Sequence, residues 1–180
     1  MKVDKTPYAE KPAGDKRLAK EMAAYDLLEN LDIPFLRLDH DPAGTAGDCV
    51  DIEDVLGIEI CKNLFLRNHS KTEFYLLVMT GTKKLVTKDV SRQIGASRLS
   101  FAEAEYMEKY LNITPGSVSI LGLMNDKERK IHLLIDKEVA EAEYFGCHPC
   151  INTSSLRIKT RDILDKFLPY TGHKPVIVEM

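Results

Sequence analysis

No apolar run in these 180 residues approaches the roughly 20 needed for a helix to cross a bilayer, which excludes a helical membrane span. The stretch from Met1 to Lys20 is polar and Lys-rich and has no apolar centre, so it does not read as a secretory signal. Residues 1–14 read instead as a frayed tail ahead of a single domain over 15–180, and the cytoplasm is the expected location. A surplus of positive charge is also missing. Lys and Arg number 25 against 28 Asp and Glu, for a net charge of −3. Nonspecific phosphate binding relies on excess Lys and Arg, so broad coating of duplex DNA is excluded and only a local basic patch is left open.

The signatures of several enzyme classes are missing as well. There is no Gly-x-Ser-x-Gly, no P-loop and no dinucleotide fingerprint, and no serine stands in a recognisable nucleophile–base pattern. No cofactor is expected. The four cysteines, Cys49, Cys61, Cys147 and Cys150, read as reduced thiols. Cys147-x-x-Cys150 is half of a zinc pattern, but Cys49 and Cys61 lie too far apart to be the second close pair, so no metal site is expected. No helix pattern follows Cys150 directly, which disfavours a thioredoxin-like role.

What is present is ordinary for a globular domain: 44% hydrophobic and 29% charged residues, in a chain long enough to bury a core. Apolar spacing predicts a helix over Asp15 to Leu31, an extended run from Pro34 to His40, and a helix from Asp48, as its cap, to Leu56 before Gly57. Lys62 to Arg67 and Glu73 to Thr80 read as strands joined by a turn. Thr87 to Ile94 reads as a helix, and Ser100 with Glu103 as a capping box opening a helix to about Leu111. Farther on, Val118 to Leu123, Ile131 to Ile135, Tyr144 to Cys147, Ser155 to Lys159 and Val176 to Glu179 read as strands. A helical turn is expected over Glu138 to Glu143, and a helix capped by Thr160 runs to Leu168. Strands and helices interleave without regular alternation, so the fold class is mixed α/β (α+β).

Alternation along the first strong strand places Lys62, Leu64 and Leu66 on one face, with Asn63 and Phe65 on the other. A lysine opening an apolar face either snorkels over the core edge or aims a cation at an anionic ligand. The loop from Gly146 to Thr153, which includes His148, Pro149 and Asn152, is the densest polar cluster of the second half. His148 suits a hydrogen-bonding, general-base or purely structural role. His132 reads as an exposed strand residue, and His40, His69 and His173 carry no partner pattern. Thr114 to Ser119, with Gly116, Ser117 and Val118, is a turn whose backbone amides suit a nest for a carbonyl oxygen. Lys83, Lys84, Lys88, Arg92 and Arg98 form the clearest basic cluster, either a solvated face or a set of phosphate contacts.

These motifs, in this order, resemble the YbaK/ProX family of aminoacyl-tRNA deacylases, of the prolyl-tRNA editing type. The resemblance rests on Lys62-Asn63-Leu64-Phe65-Leu66-Arg67, on Gly95 to Phe101, and on Pro115-Gly116-Ser117-Val118 followed by Gly122 to Asp126. It closes on His148-Pro149 and Asn152-Thr153, spanning roughly Ala19 to Leu168. It implies a compact domain with a curved, barrel-like mixed sheet flanked by helices, similar to the editing insertion of bacterial prolyl-tRNA synthetase. It further implies hydrolysis of mischarged tRNA(Pro), above all Ala-tRNA(Pro).

By the same resemblance Lys62, Gly116 and His148 are the catalytic set: Lys62 at the tRNA 3′ end, Gly116 at the aminoacyl carbonyl, and His148 positioning the adenosine or aminoacyl group. Asn63, Leu64, Ser117, Val118, Gly146, Pro149, Asn152 and Thr153 would complete substrate binding, and Lys83, Lys84, Lys88 and Arg92 would meet tRNA phosphates. The implied partners are the tRNA 3′ acceptor end and prolyl-tRNA synthetase. One departure stands out: the family loop reads Gly-x-x-x-Pro, whereas Gly116 is followed by Ile120. Two other functions fit the same residues, a deacylase for Cys or Ser and a non-catalytic sensor of charged tRNA. An activated ester needs no serine or cysteine nucleophile, which accounts for the lack of a triad.

Overall fold

The computed structural model describes residues 2–43 and 46–180. Among them the strands are β1 (Phe35–Asp39), β2 (Lys62–Arg67), β3 (Phe74–Met79), β4 (Ser100–Phe101), β5 (Ile131–Asp136), β6 (Tyr144–Cys147), β7 (Ser154–Lys159) and β8 (Val176–Val178). The main helices are α1 (Ala19–Asn30), α2 (Val50–Leu56), α3 (Thr87–Ile94), α4 (Ala104–Leu111), α5 (Lys137–Glu141) and a C-terminal helix, α6, over 160–171. The strands form two open sheets, β1-β7-β6 and β4-β2-β3-β5-β8, and neither closes into a barrel.

β3 explains the larger sheet. It pairs antiparallel with β2 and parallel with β5, and all six of its residues are buried. Phe74, Leu76 and Val78 enter the main core, which α1, α6 and the smaller sheet also build. Tyr75, Leu77 and Met79 enter a second core beneath α3, with Leu66, Val90 and Leu134. A strand covered on both faces reads as a continuous apolar run rather than an alternating one. A third cluster, Leu38, Ile52, Leu56 and Ile60, seats α2 beside β1.

Ahead of the first helix, Val3 bridges His40, Tyr8 bridges Arg37, and the Arg37 guanidinium lies 4.7 Å from the centre of the Tyr8 ring, so Val3 and Tyr8 lie against β1 and its end. Several expectations are corrected. The first helix starts at Ala19 rather than Asp15, because Arg17 and Leu18 are extended. The second begins at Val50 after a 3-10 turn, Ala46–Cys49, and the Asp48 side chain expected to cap it lies outside the described part of the structure.

The Ser100–Glu103 capping box does not form. Ser100 pairs with Arg67 in the sheet, and the Glu103 carboxylate binds Arg67 at 2.9 Å and Lys71 at 2.7 Å. Those two cations hold the Glu103 carboxyl down to about 2. Val118 to Leu123 is not a strand. Ile120–Asn125 winds as a 3-10 helix with Ile120 through Met124 all buried, and a segment apolar on every side carries no reliable period. Thr160 is the first helical residue rather than the cap, and its buried hydroxyl has no partner among the described residues. The helix that follows widens into a π turn at Ile163–Phe167, just before Pro169, whose ring is incompatible with an ordinary turn there.

Candidate active site

A cleft of about 610 Å³ opens where β2 begins. One wall is α2 with the segment that follows it, through Cys49, Val50, Glu53, Glu59 and Ile60. The others are Lys62, Asn63 and Leu64 of β2, Gly81 and Thr82 after β3, Gly116 with Val118, and His148. The fold thus gathers Lys62, Gly116 and His148, three residues far apart in sequence, around one space.

Lys62 is anchored rather than loose. Its ammonium donates to the Lys83 carbonyl at 2.7 Å, which aligns the side chain and leaves two of its three donors uncommitted among the described residues. Asn63 is the bracket of the site. Its Oδ1 accepts the Ile120 N–H at 2.9 Å, and its Nδ2 donates to the Cys61 carbonyl at 3.1 Å, so β2 holds the start of the 3-10 helix directly. This gives a physical meaning to Ile120, because proline at that position has no N–H to offer Asn63. Gly116 sits at φ +85°, in the left-handed region that disfavours side chains. The N–H of Ser117 donates to Thr114, while those of Gly116 and Val118 make no hydrogen bond among the described residues. Two uncommitted amides at the cleft edge are the elements of a carbonyl-oxygen nest.

His148 is held by its far side. Its Nδ1 lies 2.9 Å from the Ser154 carbonyl, which only accepts, so Nδ1 carries the proton and Nε2 the lone pair. Burial pushes its pKa down to about 4, with His40 adding to the effect, and the ring is neutral at neutral pH. Ser155 extends the arrangement: its hydroxyl lies 3.2 Å from His148 Nδ1 and 2.9 Å from His40 Nε2. His40 Nδ1 in turn meets the Asp41 carbonyl at 2.8 Å. Ser155 donates to His40 and His40 to Asp41, while the His148 proton, given to Ser154, reaches Ser155 only as the longer arm of a shared bond, which completes a relay. The Ser154 and Asp41 carbonyls set the two tautomers, and the Ser155 relay is compatible with both. Neither His40 nor Ser155 carried a signal in the sequence, because 115 residues separate them and pairing of β1 with β7 brings them together.

The remaining expected residues divide. Leu64 and Val118 line the cleft. Ser117, Asn152 and Thr153 face a neighbouring pocket, although Asn152 stays beside Gly116, its Nδ2 being 3.7 Å from where a Gly116 Cβ would stand. Gly146 is a packing residue: a Cβ there would stand 2.5 Å from the Glu59 carbonyl oxygen. Pro149 is buried. Of the basic cluster, Lys83 is bound to Asp136 at 2.8 Å and Glu138 at 3.0 Å, and Arg92 to Asp89 at 3.1 Å, whereas Lys84 and Lys88 are exposed. Two carboxylates of the cleft wall had not been singled out. Glu53 accepts the Ile60 N–H at 2.8 Å, and Glu59 accepts the Thr82 N–H at 2.8 Å.

Cys61, Cys147 and Cys150 do not offer a nucleophile. Burial pushes Cys61 and Cys150 up to about 12 and Cys147 well above its ordinary value, so none carries thiolate at neutral pH. No group of three or more metal-ligating side chains occurs among the described residues.

The sequence profile of the aminoacyl-tRNA editing domain matches residues 40–166. The chain belongs to that family. The editing-domain match starts at His40 and so takes in the whole relay along with Lys62, Gly116 and His148. Among similar proteins is the prolyl-tRNA editing protein ProX of Acetoanaerobium sticklandii, 32% identical over 155 residues that cover 85% of this chain and 93% of that one. Another is the prolyl-tRNA synthetase associated domain-containing protein 1 of Danio rerio, 29% identical over 89% of this chain and 86% of the relative. A solved structure described as a candidate trans-editing enzyme for prolyl-tRNA synthetase superposes with a TM-score of 0.67 at 14% identity, covering 92% of this chain and 99% of its own. At that identity the likeness speaks for the editing-domain fold alone. No helix among the described residues is long and apolar enough to cross a membrane.

Proposed function

We propose that this editing domain is a trans-acting deacylase that hydrolyses mischarged tRNA(Pro), with Ala-tRNA(Pro) as its main substrate. The observation that carries the proposal is the composition of the cleft: an anchored ammonium, a glycine turn with uncommitted amides, and a neutral imidazole. Its volume is in the range of sites that hold small ligands, ample for a terminal nucleotide with a small aminoacyl group. The likeness to a prolyl-tRNA editing protein supports the choice of tRNA.

In this reading Lys62 directs its two remaining donors to the anionic 3′ end of the tRNA. The Gly116 and Val118 amides receive the ester carbonyl oxygen and stabilise the negative charge it gains when water attacks. Such a donor is commonly worth on the order of 10²–10³ in rate. The water oxygen bonds to the carbonyl carbon, the ester C–O bond breaks, and the departing ribose oxygen takes up the proton the water releases, relayed by the neighbouring ribose hydroxyl. His148, neutral and with Nε2 as acceptor, orients the adenosine or the aminoacyl group. Alanine is smaller than proline and enters a proline site, and near-isosteric discrimination by one pocket reaches only about 10–200-fold, which makes a second sieve useful.

Purified protein added to Ala-tRNA(Pro) and Pro-tRNA(Pro) should release alanine and leave proline attached. Equal release, or none, overturns the substrate assignment. Lys62→Ala should abolish turnover, and near-wild-type rates would remove Lys62 from the mechanism. Cys-tRNA(Pro) and Ser-tRNA(Pro) in the same assay test the neighbouring specificities.

A further inference from the structure

Behind the Gly116 turn lies a second pocket of about 290 Å³, built around the start of α1. α1 is a 12-residue helix whose N-cap, Leu18, supplies no side-chain acceptor. The first hydrogen bonds into the helix come from the Glu21 and Met22 N–H groups, which leaves those of Ala19 and Lys20 without a partner among the described residues. Unpaired amides at a helix start attract anions. Lys16 and Lys20 flank them, and neither forms an ion pair among the described residues. The other two charges of the lining, Arg17 and Glu21, are paired with each other at 2.9 Å, and Arg17 also binds Asp39 at 2.6 Å. The free charge of the pocket is therefore positive.

A second observation points to a ligand. Ser117 is only 4% exposed, yet its hydroxyl has no hydrogen-bond partner among the described residues and it lines this pocket. Asn152 and Thr153 stand on the same wall. The cleft and this pocket meet at the Gly116 turn, where Gly116 lines the cleft and the adjoining Ser117 lines the pocket.

We infer that this pocket is a phosphodiester subsite for the single-stranded 3′ end of RNA, holding backbone phosphate upstream of the nucleotide in the cleft. The inference rests on the aminoacyl-tRNA reading of the cleft and adds the direction in which the strand leaves it, toward the start of α1. The Ser117 hydroxyl donates to a phosphate oxygen, the Ala19 and Lys20 amides cap it, and Lys16 and Lys20 supply charge.

The test uses the full chain and a fluorescent RNA hairpin with a single-stranded CCA end, titrated at several salt concentrations. Lys16→Ala/Lys20→Ala should weaken binding about tenfold and make the plot of log affinity against log salt shallower by roughly 0.7–1.4, the amount expected for one or two lost contacts to single-stranded phosphate. Ser117→Ala should weaken binding in the same direction. Circular dichroism reports whether each variant is folded. Unchanged affinity and slope in the folded lysine variant overturn the subsite. So does equal binding of a hairpin trimmed of CCA, or displacement of the RNA by millimolar inorganic phosphate, which marks a free-anion site. A second readout separates this from failure of the deacylase reading. The ratio of kcat/KM for aminoacyl-tRNA to that for aminoacyl-adenosine, which lacks the upstream phosphates, should fall about tenfold in the lysine variant. A wild-type protein that hydrolyses neither ester refutes the deacylase reading, while the hairpin titration still decides the subsite.

Discussion

At the scale of single residues, the site depends on charges and protons being held in definite places. His148 is the clearest case. Burial holds its pKa near 4, and the Ser154 carbonyl fixes its proton on Nδ1, so at working pH it presents an acceptor rather than a cation. An NMR titration of the ring protons should place the His148 midpoint near 4 and well below the ordinary 6.5. A midpoint near 6.5 would make His148 an ordinary exposed imidazole and remove the neutral-acceptor role. Gly146 shows how a residue that looks like part of a binding loop can serve packing instead. Gly146→Ala would press a methyl against the Glu59 carbonyl oxygen at 2.5 Å and the Ile60 Cα at 3.0 Å, both backbone. Overpacking of that kind costs about 1–3 kcal/mol. Gly95→Ala, with φ +66° but open space around it, should cost only about 1 kcal/mol from the left-handed conformation. Urea denaturation of the two variants compares the costs directly.

At the scale of elements, the decisive link is the one from β2 to the 3-10 helix. Asn63→Ala leaves the Ile120 N–H without its acceptor and loosens the Gly116 turn relative to Lys62. The expected cost is about 1–2 kcal/mol in stability by denaturant unfolding. A fall in kcat larger than the change in KM is also expected, since the proposed carbonyl nest would act mainly on the transition state. Unaltered kcat with lowered stability would make Asn63 a purely structural bracket. The same scale shows where one-dimensional patterns lose to tertiary pairing. Ser100 and Glu103 have the spacing of a capping box, but the sheet claims Ser100 and two cations claim Glu103. Ile120–Asn125 shows apolar residues without a usable period because neighbours bury it on every side, down to Gly122, where a Cβ would stand 2.6 Å from the Ile113 Cδ1.

At the scale of the whole molecule, two histidines held below their ordinary pKa make the fold sensitive to acid. His40 and His148 both have folded-state values below the ordinary one, so the unfolded chain binds more protons than the folded chain in mildly acidic solution. Their contribution to stability is complete above about pH 6.5 and is lost as pH falls toward about 4, the lower end being set by His148. Thermal unfolding followed from pH 7.5 to 4.5 should show Tm falling across that window, and His40→Gln should flatten part of the slope. A flat Tm over the same range would mean that neither ring is held neutral.

Local chemistry in the sequence determined much of this protein. Lys62–Arg67 and Thr87–Ile94 have the bounds their residues predict, because an apolar β-prone run and a helical stretch stopped by Gly95 need only near neighbours. The mixed α/β class was legible too, and so was the grouping of Lys62, Gly116 and His148 that the fold gathers around one cleft, through motifs that mark a family rather than through periodicity. Tertiary structure alone decided what those residues face. It folded β1 onto β7 to join His40 and Ser155 behind His148, and it gave Lys83 to Asp136. It also turned the polar wall of Ser117, Asn152 and Thr153 away from the cleft toward the start of α1. These are contacts between residues tens of positions apart, and no local spacing encodes which two strands will pair.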